Sequence, residues 1–444
     1  MLVRIGFICF LFVLPLGGFS QYNSLFTRGG LGEQVTNQSA RYQAIGGASV
    51  GIYDSLNVNF SNPASYASYS ITNFQSGLNY AASDQFIQDA HYKDHNSWLS
   101  NLSFGIPILA EKAGMSFGTM SVFSKSYDYT TTVVDSLAGV DESNRLRASG
   151  EVNKAYVGFA WSFVNTRKLN VALGVNFNSF FGGFSESNVL YMNEPSSPLL
   201  DVRRETEQFL FGRGYDLGIN LNYSNFKDGM RNFFTFGGVY NSDAYLKGEQ
   251  TIVEQVGSYN VGQEGFVVGT IPYEVLNQTG IGVAELPGSL KLGFSFGSQP
   301  KGASEELNTN IYHFEFSQFN TENIQVNGVL TPLSAYRSYR AGYEFQKHYT
   351  RSKEAIIYRF GAFLQQSASE GAVPAQRHFG LTFGSGIPLY KSKSTLRRSF
   401  SKLNLSITGG YRTLGAADEL QEMYVNASLA LTISNRWFYR QKIQ

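Results

Sequence analysis

The sequence predicts an all-β protein, a transmembrane antiparallel β-barrel of about fourteen strands with an N-terminal hatch inside the lumen. Three observations lead to this prediction: an export signal without a later apolar helix, a composition rich in glycine and aromatic residues, and long runs that alternate between apolar and polar side chains. Such strands can cross a bilayer because closing the sheet pairs every backbone group and leaves no edge in the lipid.

The first residues predict an exported chain. Arg4 precedes an apolar run over residues 5–14, and a group of small residues ends at Ser20. This is the pattern of a signal peptide cut after Ser20. No later stretch approaches the roughly 18 uninterrupted apolar residues of a membrane-spanning helix. The single cysteine, Cys9, lies inside the apolar run, so the exported chain is expected to have neither a lipid anchor nor a disulfide.

The composition is typical of a membrane barrel. The 444 residues include 46 Gly, 36 Phe and 27 Tyr, while only 16% are charged and the net charge is +1. Lipid-facing and lumen-facing residues alternate in such barrels, so their hydropathies cancel in the average. The near-neutral charge argues against nucleic acid as a partner. A soluble secreted all-β protein is the alternative at this point.

The alternation is clearest near the C-terminus, where Met423, Val425, Leu429 and Ile433 share one face of a strand and polar residues occupy the other. These runs reach roughly ten residues, the length that crosses a bilayer at a tilt. Strands in soluble sandwiches are shorter, about five or six residues. The predicted strands lie near residues 71–82, 96–108, 113–130, 150–164, 170–192, 200–224, 232–256, 265–297, 310–319, 336–346, 355–366, 377–388, 402–412 and 423–438.

An even strand count predicts that both termini face the periplasm, with short turns on that side and long loops outside. Charge is sorted accordingly, and this sorting was not used to place the strands. The predicted periplasmic turns carry basic residues: Arg167, Lys168, Lys227, Arg231, Lys347, Arg351, Lys353, Lys391, Lys393, Arg397 and Arg398. The predicted outer loops carry acidic ones: Asp84, Asp89, Asp94, Asp135, Asp141, Glu142, Glu264, Glu274, Glu285, Asp418 and Glu419. Simple solvation of loops would explain charge there but not its separation by sign.

The stretch before the first strand, residues 21–70, is rich in small residues and turn formers that no wall strand needs. Its informative positions are Gly46, Gly47, Ala48, Asp54, Asn62, Pro63 and Ala64. Paired glycines permit backbone conformations closed to other residues, and Asn-Pro favours a turn. This stretch resembles the FadL family, in which a Gly-Gly-Ala element, an acidic residue and an Asn-Pro-Ala element form an N-terminal hatch that plugs the barrel.

The resemblance implies a signal peptide over residues 1–20, a hatch over 21–70 and a barrel over 71–444. It also implies an outer-membrane channel for passive uptake of hydrophobic or amphipathic small molecules such as fatty acids. The alternative is a barrel partner in protein export or surface attachment, as in the PorV-like members of the family in type IX secretion. A structural or adhesion barrel is a third reading. The expected partners are therefore outer-membrane lipid and either a hydrophobic small molecule or a secretion-system protein.

Two departures from the family pattern affect what the resemblance implies. The chain continues past Trp437 and Phe438 and does not end on a terminal aromatic residue. The segment that contains Val267, Ile271 and Leu276 forms either an apolar groove or a hairpin that packs on its neighbours.

Catalytic and metal-binding motifs are nearly absent. Of the five histidines, only His91 and His95 are close enough in sequence to act as ligands together. They stand beside Asp89 and Asp94 on a predicted outer loop, which favours a polar surface loop over a metal site. No Gly-x-Ser-x-Gly elbow or phosphate loop appears between a strand and a helix. We therefore predict no enzymatic activity, no metal and no cofactor.

The face assignment of three strands predicts a charged cluster inside the lumen. Apolar residues occupy one face of each strand, which turns the charged side chains inward. A charge on the lipid face near the bilayer midplane would cost roughly 2–4 kcal/mol. The predicted cluster consists of His313, Glu315, Arg340, Glu344 and Arg359. Arg359 is expected to bridge the carboxylates of Glu315 and Glu344, as a latch on the hatch, as a site for a ligand carboxylate or as part of a structural network.

Overall fold

The computed structural model describes residues 24–27, 31–35, 38–87, 90–135, 140–192, 201–227, 229–260, 265–300, 308–319, 324–326, 329–331, 336–347, 356–367, 375–391, 399–415 and 420–435. The strands are β1 (Glu33–Gln34), β2 (Thr72–Ile87), β3 (Ala90–Leu109), β4 (Ala113–Asp135), β5 (Val140–Asn165), β6 (Leu169–Met192), β7 (Asp201–Lys227), β8 (Met230–Asn241), β9 (Ala244–Asn260), β10 (Gly265–Leu286), β11 (Ser289–Pro300), β12 (Asn308–Phe319), β13 (Ile324–Val326), β14 (Val329–Thr331), β15 (Tyr336–Lys347), β16 (Ile357–Ser367), β17 (Gln376–Lys391), β18 (Ser399–Leu414) and β19 (Leu420–Asn435). In the described part, helical structure is limited to one α-helical turn, Ala40–Gln43, and two 3-10 helices, Leu25–Thr27 and Pro63–Ser68. None of these helices is long and apolar enough to cross a membrane.

Within the described residues, fourteen strands form a closed antiparallel barrel: β2–β8, β11, β12 and β15–β19. Each strand pairs with its neighbour around the circle, and β19 pairs with β2 to close it. Between β8 and β11 the wall is continuous because these two strands pair directly. The predicted fold class, a transmembrane antiparallel barrel of about fourteen strands, is confirmed.

Two predicted strands, 232–256 and 265–297, are each two strands in the structure. The first contains β8 and β9, and the second contains β10 and β11. Strands β9 and β10 form a hairpin, and β9 pairs with the N-terminal part of β7, from Asp201 opposite Gly257 to Gly212 opposite Leu246. Each of these two predicted strands contains one strand of the barrel wall, so the predicted number of about fourteen wall strands is still correct. Of the two readings for the segment around Leu276, the structure shows the hairpin.

The barrel has two distinct ends. At one end, short turns join β3 to β4, β5 to β6 and β7 to β8. Strand β2 begins and strand β19 ends at this same end, which we call the turn end. The first of these turns places Glu111 in the left-handed region with φ 59°. We call the opposite end the loop end. The predicted signal peptide, Trp437, Phe438 and several charged loop residues lie outside the described residues: Asp89, Glu264, Arg351, Lys353, Lys393, Arg397, Arg398, Asp418 and Glu419.

The two faces of the wall have opposite chemistry. Large apolar side chains point outward, among them Phe177, which is 68% exposed, and Leu381, which is 71% exposed. The inward positions of β19 carry the buried polar residues Asn426, Ser428 and Thr432. An apolar outer belt around a polar interior is the arrangement of a transmembrane barrel, and it excludes the soluble all-β alternative.

The described residues between Ser24 and Ile71, which we call the N-terminal segment, lie inside this barrel. Near the loop end, the backbone N–H of Ser24 donates to the carbonyl of Ser126 on β4. The segment then passes along the lumen and joins β2 at the turn end. Its aromatic residues Tyr42, Tyr66 and Tyr69 are almost wholly buried, so the segment packs closely against the inner wall.

Candidate functional site

The Gly46–Ala48 element lies against the wall strands β15 and β16. Gly46 and Gly47 both adopt left-handed φ angles, +71° and +83°, which favour glycine. The backbone N–H of Gly46 donates to the hydroxyl of Thr382 at 2.9 Å. A Cβ on Gly46 would stand 2.5 Å from the carbonyl oxygen of Ala362. Both the conformation and the close approach therefore require glycine here.

The Asn62–Ala64 element makes a tight turn against β7. The side-chain amide of Asn62 donates to the carbonyls of Val50 at 2.8 Å and Ile219 at 3.1 Å. Its carbonyl oxygen accepts from the backbone N–H of Ala64 and so caps the 3-10 helix that begins at Pro63. One side chain thus joins two parts of the N-terminal segment to the wall.

Glycines on the inner face of the wall allow this close approach. A Cβ on Gly218 would stand 2.3 Å from Oδ1 of Asn62, and one on Gly361 would stand 2.0 Å from the backbone nitrogen of Gly46. The sequence analysis did not single these glycines out. Their signal is a glycine at an inward position on one strand after another, and further members are Gly174, Gly237, Gly293, Gly342 and Gly384.

The structure places all five residues of the predicted charged cluster on the inner face. In neighbouring strands, Glu315 lies opposite Arg340 and Glu344 lies opposite Arg359. Arg359 is 0% exposed. His313 joins them by contacting Glu344 at 3.1 Å through Nε2 and Ser295 at 2.7 Å through Nδ1.

The pairing within the cluster differs from the prediction. Nε of Arg359 donates to Glu344 at 2.9 Å, and its Nη1 donates to Asn404 at 3.1 Å. Glu315 instead binds Arg340 at 2.7 Å. Arg359 therefore does not bridge the two carboxylates, because Glu315 is directly opposite a different arginine in the register.

Both carboxylates also bind the N-terminal segment. One oxygen of Glu315 accepts from the backbone N–H groups of Ser49 at 2.7 Å and Val50 at 2.9 Å. Glu344 accepts from Nη2 of Arg41 at 3.2 Å, and Arg41 also forms an ion pair with Asp54. No role for Arg41 was predicted from the sequence. A signal existed, since Arg41 and Asp54 are the only charged residues between positions 38 and 71.

The N-terminal segment separates two cavities. The loop-end cavity has a volume of about 150 Å³ and is lined by Trp98, Gly47 and Arg340, among others. The turn-end cavity has a volume of about 660 Å³ and is lined by Arg41, Glu344 and other polar residues. Arg340 and Glu344 thus face opposite sides of the blockage.

The first described part of the segment is held by a second charged group. Arg412 on β18 forms ion pairs with Glu422 and with Glu33 of β1. Its guanidinium also donates to the hydroxyl of Ser24 at 3.0 Å and lies 4.3 Å from the ring centroid of Phe26. Residues 24–27 and 31–35 are therefore attached to the wall near the loop end.

The wall is interrupted between β3 and β4, a place that we call the seam. These strands pair only from Leu109 opposite Ala113 to Asn101 opposite Met120, although both continue toward the loop end. Each has an irregularity where the pairing stops, at Ser100 in β3 and Val122 in β4. Such bulges bend a strand away from its neighbour.

Strand β1 covers the edge of β4 that the seam exposes. Glu33 and Gln34 pair with Ser124 and Phe123, and the backbone N–H of Val35 donates to the carbonyl of Val122 at 2.8 Å. The loop-end cavity lies directly behind the seam, since its lining includes Trp98 of β3 and Ser124 of β4. The outer side of the seam is apolar, because Leu99 on β3 is 43% exposed.

The comparisons with known proteins agree with this architecture. A family model described as BamG matches residues 1–444, while no curated protein matches the sequence. The toluene transporter TodX of Pseudomonas putida superposes with a TM-score of 0.53 at 17% identity, over 94% of this chain and 100% of that one. The monoaromatic hydrocarbon channel CymD superposes with a TM-score of 0.52 at 14% identity, over 90% of this chain and 98% of that one. A Pseudomonas aeruginosa FadL homologue superposes with a TM-score of 0.50 at 13% identity, over 90% of this chain and 99% of that one. The predicted resemblance to FadL-type barrels is therefore confirmed for the fold.

Proposed function

The chain belongs to the BamG family, and from that premise and its FadL-type fold we propose that it is an outer-membrane channel for passive uptake of hydrophobic or amphipathic small molecules. Fatty acids are one candidate cargo. The channel needs no cofactor and is not an enzyme. Movement of the cargo follows its concentration gradient.

The observation that carries this proposal is the seam next to a blocked lumen. The N-terminal segment lies between the two cavities, whereas the seam adjoins the loop-end cavity and the exposed side chain of Leu99. Unpaired backbone groups are costly in lipid, and β1 lowers that cost by pairing with β4. Displacement of β1 would therefore open a sideways path for an apolar molecule between lumen and membrane.

In this proposal the N-terminal segment is the hatch, with residues 21–70 as its bounds, and the turn end faces the periplasm with both chain termini. The basic turn residues Arg167 and Lys168 at that end support the orientation. The hatch elements Gly46–Ala48 and Asn62–Ala64 keep the lumen closed. The charged cluster holds the hatch, since Glu315 and Glu344 bind both the wall and the segment.

A disulfide across the seam tests the route. Cysteines at Gln34 and Phe123 would stand at paired positions of β1 and β4, where Cα atoms are about 4.5–5.5 Å apart, a separation that a disulfide spans. With residues 1–20 removed, the chain has no other cysteine. We expect oxidation to lower uptake of a labelled fatty acid by whole cells at least about tenfold, and reduction to restore it.

The matched control is a disulfide between Ser149 and Ser185, which are paired on the continuous strands β5 and β6. It should leave uptake unchanged in both redox states. Uptake that continues with β1 locked would exclude the seam as the route. Absence of any uptake difference between cells with and without the protein would exclude the channel itself.

The β9–β10 hairpin favours a second candidate function, that of a barrel partner in protein export or surface attachment. It pairs with the loop-end part of β7 and carries exposed apolar side chains, with Ile281 77% exposed and Tyr245 61% exposed. Exposed apolar groups on a strand near an open sheet edge are suited to contact with another protein.

Removal of residues 246–284 tests this second candidate, because β8 and β11 pair without the hairpin. Loss of surface-attached or exported proteins from these cells with uptake intact would support the partner role. Loss of uptake with surface proteins intact would contradict it.

A further inference from the structure

The loop-end cavity is lined by groups that suit hydroxyls better than hydrocarbon. Six of its lining residues are amides: Gln34, Gln38, Gln43, Asn96, Gln365 and Asn426. An amide side chain both donates and accepts hydrogen bonds, and so does a hydroxyl group. The protein itself already bonds Gln38 and Gln43, but a hydrocarbon here would leave a buried amide such as that of Asn96 unsatisfied, at a cost of about 1–3 kcal/mol.

Two buried atoms beside the seam are unpartnered. Among the described residues, Oδ1 of Asn96 and Nε1 of Trp98 have no hydrogen-bond partner on the protein. Asn96 is only 7% exposed, and both residues line the cavity. One atom accepts and the other donates, so a ligand that satisfies both must itself donate and accept.

The charges around the cavity argue for an uncharged ligand. The two arginines of the lining, Arg340 and Arg412, are already paired with Glu315 and with Glu33 and Glu422. A phosphate or carboxylate would therefore meet no free guanidinium and several carboxylates. Aromatic faces are also present, since Trp98, Phe363 and Tyr424 belong to the lining.

The size of the cavity limits the group that it accepts. A water molecule needs roughly 10–15 Å³ of this kind of volume, so 150 Å³ holds about ten waters. That is the room taken by one sugar ring. The cavity is also next to the seam, where an attached apolar chain would meet Leu99 and the outer belt.

We infer that the loop-end cavity binds the uncharged, hydroxyl-rich headgroup of an amphipathic lipid, about one sugar ring in size, with the apolar chain in the seam. This names the substrate class of the channel and rests on the proposed function. Asn96 and Trp98 bind the headgroup hydroxyls, and the amides of the N-terminal segment contact its other side.

Binding of octyl glucoside to the full exported chain in nanodiscs tests this inference. Trp161→Phe and Trp437→Phe leave Trp98 as the only tryptophan, so its fluorescence reports on the cavity. We expect a saturable change on titration below the micelle concentration. Asn96→Ala should weaken binding roughly tenfold through loss of one buried hydrogen bond.

Asn220→Ala is the matched control. Asn220 is also a buried, inward-facing asparagine with an unpartnered amide, but it does not line the cavity. Its substitution should leave the fluorescence titration unchanged. Equal effects of Asn96→Ala and Asn220→Ala would overturn the inference.

Two further ligands distinguish the chemistry of the site. Octanoate, which has the chain without hydroxyls, should give no saturable change, and equal binding of octanoate would overturn the headgroup assignment. Free glucose should bind much more weakly than the glycoside, and equal binding would identify a soluble sugar and overturn the lipid. The titration measures binding without transport. If octyl glucoside does not bind but fatty-acid uptake is intact, only this inference is refuted. If octyl glucoside binds but the seam disulfide does not affect uptake, only the proposed route is refuted.

Discussion

The N-terminal segment is attached to the barrel in two different ways along its length. Between residues 38 and 71, its backbone lies on wall glycines and Arg41 enters a buried charged cluster. Between residues 24 and 35, it depends on the two-residue strand β1 and on Glu33, whose side chain is 31% exposed. Removing one partner of a buried ion pair costs far more than removing one from an exposed pair. We therefore propose that the first part is a fixed plug and the second a cover that can move.

The largest effect on stability is expected from Glu344→Gln. Without the carboxylate, the buried guanidinium groups of Arg41 and Arg359 lose their shared anion. The free energy of unfolding should fall by about 3–5 kcal/mol. Urea titration of the detergent-solubilised barrel, followed by its shift in gel mobility, measures this change.

Glu205→Gln is the control for that substitution, because Glu205 pairs with Arg203 on a half-exposed site of β7. Its loss should cost less than about 1 kcal/mol. Similar losses for the two variants would mean that the cluster is not a main anchor of the plug. Leakage of small solutes through the Glu344 variant would identify a latch on the hatch, and lower stability without leakage would identify a wall network.

A smaller effect is expected from Gly361→Ala. Its Cβ would stand 2.0 Å from the backbone nitrogen of Gly46 and 2.3 Å from the carbonyl carbon of Ile45. Backbone atoms cannot rotate away, so the variant should lose about 1–3 kcal/mol of stability. The same urea titration measures it.

Gly409→Ala provides the comparison on β18, since nothing lies within 4 Å of a Cβ at that position. It should be neutral or gain about 0.4–1 kcal/mol, because alanine restricts the unfolded chain. A loss of stability at Gly409 as large as that at Gly361 would contradict the role of contact with the plug.

The smallest effect on stability is expected from Glu33→Gln in β1. Arg412 keeps its ion pair with Glu422, so the cost should stay below about 1 kcal/mol. Hydrogen exchange should nevertheless become faster at the amides of residues 24–35, because β1 loses an anchor, and remain slow over 38–71. Faster exchange along the whole segment would show that the two parts move as one.

Sequence reasoning predicted the faces of the wall well. The alternation of Tyr312, Phe314 and Phe316 with His313 and Glu315 was sufficient to place the charges inward, because each strand position has only two possible faces. The same reasoning fused β8 with β9 because it did not treat the polar residues Asn241, Ser242 and Asp243 as a turn, and alternation does not show which neighbour each strand takes.

Other features depend on contacts between distant parts of the chain. Arg359 was expected to bridge Glu315 and Glu344, but the register places Arg340 opposite Glu315. The seam carries a weak sequence signal, because a bulge at Ser100 or Val122 looks like any other residue of a strand.

By itself, the sequence determined that the chain forms a barrel with an apolar outer belt, a polar lumen and an N-terminal stretch of small residues, because these follow from local alternation and residue size. Only the tertiary structure decided which arginine binds which carboxylate, where the wall is interrupted and what covers the gap. The physical reason is that these contacts join residues far apart in the chain, such as Arg41 and Glu344, which are separated by 303 positions. Their meeting depends on strand register and barrel closure, which local patterns do not specify.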